Sequence, residues 1–512
     1  MSGSSRGQST DGMLLTISSE SGLELITQPR VNNHGTMNLT LVPGLDATGM
    51  AKPVDTAEFD RVLRQTYPIA KTNISVRSPA QLDSNLNKAL GQLDAIRKLE
   101  TDGKSYFYGL VPGPCSGTVG LAYINHVSGT GRDAGCSLYL NATFTHELGH
   151  NLAQNHAPGC GPTSSDPFWQ SGAWDGVSRA ALSPAPLFQQ DSKTVISPQD
   201  KSIRADSDLM NYCFGFRFSE YNYKRIADYI NSRSWFGDQP TRMLTVQNSE
   251  PMLLISGEII DGRVILEPVI ASNNPLSANN ETGNVESNYS MLVNAADGVV
   301  MYDLPLLNLD HSSNKIFSLE IPASAQINAI KFFDGERELD FEVNGLKEQK
   351  QASSRTSYSG PVVNYQSDFI TWNNAKYPWL TVVHTKADGS RQSLVINATG
   401  GELAIDQSQL LGGGSLHFSL SDGINSVIYT EELGDTAEQS WGQGDAADDV
   451  AVPGSELPPY KAGKTYQAGD QVNNAGGEFE CKPFPFSGWC GGSASHYAPG
   501  TGSNWSDAWI KL

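Results

Sequence analysis

Three histidines and one glutamate in the segment 146–156 constrain the fold of this chain more than any other feature. The sequence Thr145-His146-Glu147-Leu148-Gly149-His150 contains the pattern H-E-x-x-H. On a helix, residues four apart lie one turn apart on the same face. The imidazoles of His146 and His150 are therefore predicted to meet one metal ion, with Glu147 beside them.

The opposite face of the same helix is apolar. Phe144, Leu148 and Leu152 recur every four residues, and at about 100° per residue they lie roughly opposite the two histidines. One face is thus predicted to pack on a core while the other faces a cleft. His156 would leave the ligand face if the helix continued, so the chain must turn after Ala153.

The spacing H-E-x-x-H-x-x-x-x-x-H resembles that of the metzincin zinc peptidases. A second metzincin feature follows in Asp208-Leu209-Met210-Asn211-Tyr212-Cys213, which is similar to the Met-turn beneath the metal, with Met210 as its methionine. Metzincins normally have glycine where this chain has Ala153. A non-glycine residue at positive φ costs on the order of 1 kcal/mol, so this departure concerns the turn before His156.

The resemblance implies a secreted zinc endopeptidase over residues 36–238. His146, His150 and His156 would bind Zn²⁺, and Glu147 would act as general base toward a zinc-activated water. Tyr212 is a candidate catalytic group, because some metzincins carry a tyrosine at this position. The segment 117–124 is apolar and led by glycine, and it lies where metzincins keep the edge strand that pairs with an extended substrate.

The sequence pattern predicts a multidomain fold, because a chain of 512 residues is too long for one core. An α/β metzincin-like catalytic domain is expected to precede two β-sandwich domains and a small β-rich carbohydrate-binding module. The 50 glycines and 27 prolines favour many turns and β-rich architecture. The predicted order is a flexible lead-in (1–35), the peptidase domain (36–238), two β-sandwiches (239–350 and 351–434), a linker (435–459) and the module (460–512).

Charge and hydropathy limit the partners. The formal net charge of -20 disfavours a nucleic acid, because phosphate binding needs a basic face. No stretch of about 18 apolar residues is present, so no membrane span is predicted. The first residues show no signal peptide, yet the remaining features favour a secreted protein.

The even number of cysteines favours disulfide bonds and an oxidising compartment. The six allow 15 pairings, and no CxxC pair suggests a cysteine metal site. The pairing proposed from their positions is Cys160–Cys213, Cys481–Cys490 and Cys115–Cys136.

The last residues, 460–512, are unusually aromatic and resemble the short chitin-binding modules of bacterial chitinases. Flat aromatic rings stack on the apolar faces of sugar rings. The resemblance implies chitin or a related polysaccharide as a partner, and the candidate binding residues are Trp489, Tyr497, Trp505 and Trp509. Some of these aromatics must instead form the thin core of so small a module.

These features together predict a peptidase that acts on proteins or glycoproteins associated with glycans or chitin. The main alternative is a non-catalytic chitin- or glycan-binding adhesin with a relic zinc domain. A glycoside hydrolase is a weaker alternative, because no pair of carboxylates stands out as its signature. Retention of Glu147 disfavours the adhesin, since a structural zinc site needs no general base.

Overall fold

The computed structural model describes most of the chain. The described residues are 15–18, 24–27, 35–46, 51–100, 105–133, 140–160, 166–170, 187–189, 194–196, 208–213, 215, 217–233, 251–273, 287–309, 314–323, 326–347, 362–366, 369–410, 412–433, 457–458, 460–461, 464, 466–474, 477–482, 489–490, 497–500, 502 and 505–512. The chain divides into two compact units, Met1–Ala437 and Glu438–Leu512.

The predicted lead-in contains regular structure. Strands β1 (Leu15–Ser18) and β2 (Glu24–Thr27) pair as an antiparallel ribbon. Apolar and polar residues alternate along β1, as in a strand with one apolar face.

A five-stranded mixed sheet forms the centre of the region that follows. Its strands are β3 (Thr36–Pro43), β4 (Lys71–Val76), β5 (Tyr106–Val111), β6 (Gly120–Ala122) and β7 (Ser128–Arg132). The order is β4-β3-β5-β7-β6, and only β6, at one edge, runs antiparallel to its neighbour. All six residues of β5 are buried, as expected for a central strand covered on both faces.

Helices cover this sheet. They are α1 (Thr56–Thr66), α2 (Leu86–Glu100), α3 (Thr145–Asn151), the short α4 (Pro167–Gln170) and α5 (Glu220–Ser232). Asp55 caps α1 by accepting hydrogen bonds from the backbone amides of Ala57 and Glu58. Ser219 caps α5 by accepting a hydrogen bond from the amide of Asn222. Strands β8 (Leu187–Gln189) and β9 (Thr194–Ile196) form an antiparallel pair between α4 and α5.

The next region consists of two sheets that share one apolar core. Its strands are β10 (Met252–Ile260), β11 (Arg263–Leu266), β12 (Ile270–Ser272), β13 (Tyr289–Ala295), β14 (Gly298–Asp303), β15 (Leu306–Leu307), β16 (Lys315–Pro322), β17 (Ile327–Asp334), β18 (Arg337–Leu339) and β19 (Phe341–Val343). One sheet has the order β15-β16-β10-β11-β19, with β12 also paired to β10, and the other β14-β13-β17-β18. Ile255 and Phe317 of the first sheet meet Met291 and Phe332 of the second in the core.

The following region also consists of two sheets that share one apolar core. Their strands are β20 (Val363–Gln366), β21 (Phe369–Trp372), β22 (Trp379–Thr385), β23 (Arg391–Ala398), β24 (Glu402–Ala404), β25 (Gly414–Ser421) and β26 (Ser426–Leu433), with a 3₁₀ turn at Gln407–Leu410. The orders are β20-β21-β24 and β23-β22-β25-β26. Trp372 and Leu380 are fully buried in their common core.

Both β-regions pack against α2. Arg77 forms a buried ion pair with Glu100, at 2.7 Å, and Glu100 also accepts a 2.7 Å hydrogen bond from the backbone amide of Ser393 in β23. Lys98 donates to the hydroxyl of Ser318 in β16 at 2.6 Å. The mixed sheet with α2 and the two β-regions therefore pack directly against one another.

The C-terminal unit contains a small antiparallel sheet. Its strands are β27 (Gln471–Asn474), β28 (Gly477–Cys481) and β29 (Trp509–Lys511), in that order, and a short helix spans Trp505–Ala508. The core is formed by Tyr466, Val472, Phe479 and Trp509 beside the Cys481–Cys490 disulfide. The predicted linker lies outside the described residues except for positions 457 and 458.

The fold is multidomain and mostly β-rich, with several sheets, as the sequence predicts. Among the described residues, no helix is both long and apolar enough to cross a membrane. The domain boundaries at 238, 350 and 434 stay predictions.

Candidate metal centre

Helix α3 carries the first two candidate ligands on its buried face. A π-helical turn, Leu140–Phe144, leads directly into it, and every residue of α3 is buried. Phe144, Leu148 and Leu152 all lie in the core beneath the sheet, as the sequence predicts. This packing fixes the helix and so fixes the direction of its imidazoles.

The chain turns after α3 through a left-handed residue. Ala153 has a φ of 64°, the conformation that favours glycine. The amide of Gln154 donates to the carbonyl of Gly149 at 3.0 Å and closes the helix end. The predicted turn is therefore present without glycine, and it brings His156 back toward the ligand face.

His146, His150 and His156 meet at one point. Their potential ligand nitrogens all lie within 4.8 Å of one another, and all three residues are buried. The Nε2 atoms of His146 and His156 are 3.1 Å apart. Three imidazole nitrogens that converge in this way suit a transition metal of the zinc type.

Backbone carbonyls hold two of these rings through their other nitrogen. Nδ1 of His146 lies 2.8 Å from the carbonyl oxygen of Leu209, and Nδ1 of His150 lies 2.7 Å from that of Gln154. A carbonyl only accepts hydrogen bonds, so each Nδ1 must carry the proton. The Nε2 atoms then present lone pairs toward the shared point, which is the usual arrangement behind metal-binding histidines.

Glu147 lies in the floor of a cleft of about 510 Å³. The cleft is also lined by His146, Tyr212 and the segment 117–120. A Cβ atom at Gly120 would overlap Oε1 of Glu147, so glycine at this position lets the strand approach the carboxylate. The cleft thus brings an edge strand, the carboxylate of Glu147 and the imidazole of His146 together.

The residues of the predicted Met-turn, 208–213, lie directly beneath α3. Met210 is fully buried, and a Cβ atom at Gly149 would overlap its sulfur. The carboxylate of Asp208 shapes the turn by accepting from the amides of Met210 (2.7 Å) and Ser219 (2.6 Å). Burial raises the pKa of Asp208 above its ordinary value, although these hydrogen bonds act in the opposite direction.

Two predicted disulfide bonds are confirmed. Cys160–Cys213 joins the loop after His156 to the segment 208–213, and Cys481–Cys490 lies in the C-terminal unit. Cys115 is also disulfide-bonded, whereas its predicted partner Cys136 lies outside the described residues.

Tyr212 stands at the rim of the cleft. Its ring centroid is 4.8 Å from that of His156 and 6.0 Å from that of His146, and 38% of the residue is exposed. An exposed phenol beside the histidines is accessible to a bound substrate.

Two buried tyrosines near Glu147 were not anticipated from the sequence. Tyr67 donates its hydroxyl proton to the carbonyl of Thr145, and Tyr108 packs against Phe144. Burial, and then the charge of Glu147, raise the pKa of both tyrosines well above the usual value. Both residues thus remain neutral beside the carboxylate, and no motif distinguishes them from ordinary core tyrosines.

A buried charge cluster lies behind the sheet, where α2 meets β7. Asp94 pairs with Arg97 at 3.0 Å and accepts from Ser128 at 2.9 Å, and His126 lies 3.7 Å away. Burial alone would raise the pKa of Asp94, but Arg97, His126 and Lys98 hold it well below its usual range. Burial lowers the pKa of His126 to about 3, despite the opposing effect of Asp94.

The aromatics of the C-terminal unit fall into two groups. Trp489 and Tyr497 stack, with centroids 5.6 Å apart and planes 20° apart, and Trp489 is 41% exposed. Trp509 is 1% exposed in the core, and Trp505 is partly buried against Phe479. Burial keeps Trp509 from stacking on a ligand. Tyr497 is itself partly buried, but it stacks on the exposed Trp489, so this pair is the candidate sugar-binding surface.

Comparison with known proteins shows similarity over parts of the chain. No protein-family model matches it. Over 181 residues it is 29% identical to GlcNAc-binding protein A of Photobacterium profundum, and the match covers 34% of each chain. Over 48 residues it is 52% identical to chitin-binding protein CbpD of Pseudomonas aeruginosa, 9% of this chain and 12% of the relative.

A third relative carries the name of an enzyme. Endoglucanase MaCel5A of a Microbulbifer species is 43% identical over 58 residues, 11% of this chain and 10% of the relative. The chain thus spans about a third of the length of GlcNAc-binding protein A and about an eighth or less of the other two.

Proposed function

We propose that this protein is a zinc-dependent endopeptidase attached to chitin or a related polysaccharide through its C-terminal module. The observation that carries the proposal is the convergence of His146, His150 and His156 at one point, with His146 and Glu147 lining an open cleft. In this proposal, residues 36–238 form a metzincin-like catalytic domain.

The donor set fits zinc. Three imidazole ligands would leave a fourth position for water or substrate, which is typical of catalytic zinc sites. Carbonyls of Leu209 and Gln154 set the tautomers of His146 and His150 and orient their rings. When bound, zinc would polarise a peptide carbonyl and increase the acidity of water.

The surrounding residues would perform the remaining steps. Glu147 would accept a proton from the attacking water and deliver it to the leaving amine. Its position against Gly120 places the base beside the strand on which a peptide would lie. Tyr212, exposed next to His156, would donate a hydrogen bond to the oxygen on which negative charge develops.

The C-terminal module would hold the enzyme near its substrate. The similarity to proteins named for binding chitin and GlcNAc supports this ligand, and the stacked Trp489–Tyr497 pair offers the flat aromatic surface that sugar rings need. Attachment raises the local concentration of substrate, so proteins or glycoproteins embedded in chitin or glycan are the proposed targets. The disulfide bonds favour an extracellular location.

Proteolysis of casein and of a mucin tests the peptidase. Wild type and Glu147→Ala are purified with zinc, and the metal content of each is measured. We expect about one zinc per chain in both proteins, and cleavage by the wild type alone. If both proteins hold zinc and neither cleaves either substrate, the peptidase proposal fails.

A second candidate is a non-catalytic chitin-binding adhesin with a relic zinc domain. The names of the binding-protein relatives favour it over the peptidase. Chitin pull-down of wild type and Trp489→Ala, with Trp372→Phe as a control for a buried aromatic elsewhere, measures the attachment that both candidates share. Chitin binding without proteolysis would leave the adhesin as the function.

A further inference from the structure

Strand β6 is the edge of the mixed sheet next to the cleft, and only one of its sides is used within that sheet. The carbonyl of Val119 accepts from the amide of Arg132 at 2.9 Å, and the amide of Tyr123 donates to the carbonyl of Ser128 at 3.3 Å. Backbone groups of alternate residues in an antiparallel pair point to opposite sides. Gly120, Ala122 and Ile124 therefore direct their amides and carbonyls away from β7.

The outward side is open at one end of this strand. The segment 117–120 lines the cleft together with His146 and Glu147. An extended peptide that pairs with the outward groups of Gly120 would lie across the histidines. This part of the edge is thus the place for substrate, if the proposed peptidase function is correct.

The outward side is already occupied at the other end. The amide of Ile124 donates to the carbonyl of Asn308 at 2.9 Å, and Tyr123 forms an isolated antiparallel bridge with Leu309. Asn308 and Leu309 directly follow β15 in the first β-region. The chain thus supplies its own partner to the edge strand where a substrate would otherwise continue.

This partner segment is anchored in the core behind the sheet. Leu307 and Leu309 are 5% and 8% exposed, and they belong to the same apolar cluster as Phe107, Leu121 and the buried leucines of α2. Removal of the segment from the edge would expose both leucines. The contact is therefore a fixed part of the cleft wall.

We propose that the segment 307–309 closes one end of the substrate cleft and limits how much of a peptide binds there. Outward groups recur every second residue, so Gly120 and Ala122 are the last two outward positions before the bridge at Tyr123. On the closed side of the scissile bond, only about two substrate residues can pair with the strand. This arrangement favours cleavage in short or flexible segments of a protein, rather than in long segments extended through the cleft. The proposal rests on the proposed peptidase function.

A series of truncated peptides tests this limit with the zinc-loaded full chain. A casein peptide that the enzyme cleaves once is identified by mass spectrometry, and it is then shortened by one residue at a time from either end. On the closed side of the scissile bond, we expect kcat/KM to stay constant until about two substrate residues remain. On the other side we expect each lost main-chain hydrogen bond to reduce kcat/KM about fivefold.

A variant that weakens the packing of the segment 307–309 provides the second measurement. Leu309→Ala should make kcat/KM depend on a third residue at the closed side, whereas the control Leu339→Ala, which truncates a buried leucine elsewhere in the same β-region, should keep the wild-type profile. The contrary result is a wild-type kcat/KM that depends equally on four or more substrate residues on each side of the scissile bond. That result would overturn the proposal of a closed end and leave the peptidase proposal standing. Absence of any cleavage by wild type, with zinc bound, would overturn the peptidase and this proposal together.

Discussion

His126 is expected to make folding of the first unit sensitive to mild acid. The ring is buried beside Asp94, Arg97 and Lys98, and its pKa falls from 6.5 to about 3. The unfolded chain therefore binds a proton between these two values that the folded chain does not bind. The stabilisation is complete above pH 6.5 and is lost as the pH falls from 6.5 toward 3.

The size of the effect follows from the two pKa values. Between pH 7.5 and pH 5.0, a histidine with a pKa of 6.5 in the unfolded chain takes up almost one proton, while a group with a pKa near 3 takes up almost none. Integration over this interval gives a loss of about 2 kcal/mol. The variant His126→Gln has no titrating ring at this position. Over the same interval, its free energy of unfolding should therefore fall by about 2 kcal/mol less than that of the wild type.

Urea unfolding of both proteins at the two pH values measures this difference. A metal chelator is present throughout, because pH-dependent metal binding would otherwise contribute to the pH dependence of stability. Glu267 and Glu320, whose pKa values are raised by burial, contribute with the opposite sign, but equally in both proteins. Between pH 7.5 and 8.5 the free energy of unfolding should change by the same amount in the two proteins. Equal losses of stability in wild type and His126→Gln on going to pH 5.0 would refute the reasoning.

Three further predictions concern the candidate metal centre. Ala153→Gly should raise stability by about 1 kcal/mol, because glycine accepts the φ of 64° without strain; a lower melting temperature would contradict this. Gly120→Ala should reduce peptide hydrolysis about a hundredfold by displacing Glu147, with zinc content unchanged; wild-type activity would show that the contact is unimportant. Replacement of Cys160 and Cys213 by serine should cost about 4 kcal/mol, since the disulfide closes a loop with a sequence separation of 53; an unchanged urea midpoint would argue against it.

The sequence allowed the helix of the candidate centre to be predicted because its constraints are local. The spacing of His146, Glu147 and His150 and the apolar stripe ending at Leu152 both depend on helical geometry alone. The turn at Ala153 followed from the same geometry, since His156 has to return to the ligand face. The Cys160–Cys213 disulfide could be proposed because both residues flank the predicted site.

Other features depend on contacts between distant segments, which a single sequence does not reveal. Tyr67 and Tyr108 near Glu147 look like ordinary core residues in sequence. Asn308 meets Ile124 only because the first β-region packs against α2, and neither residue belongs to a recognisable motif. The burial of Trp509 and exposure of Trp489 likewise depend on which aromatic the small core of the module encloses.

The insertion of Leu307 and Leu309 beside α2 also determines how this chain can be divided for expression. A fragment that ends at residue 238 would leave Phe107, Leu121 and the leucines of α2 facing water in place of those two side chains. Such exposed apolar area favours aggregation of the isolated fragment. A fragment that ends at Ala437 keeps this core whole, because it coincides with the boundary of the first compact unit.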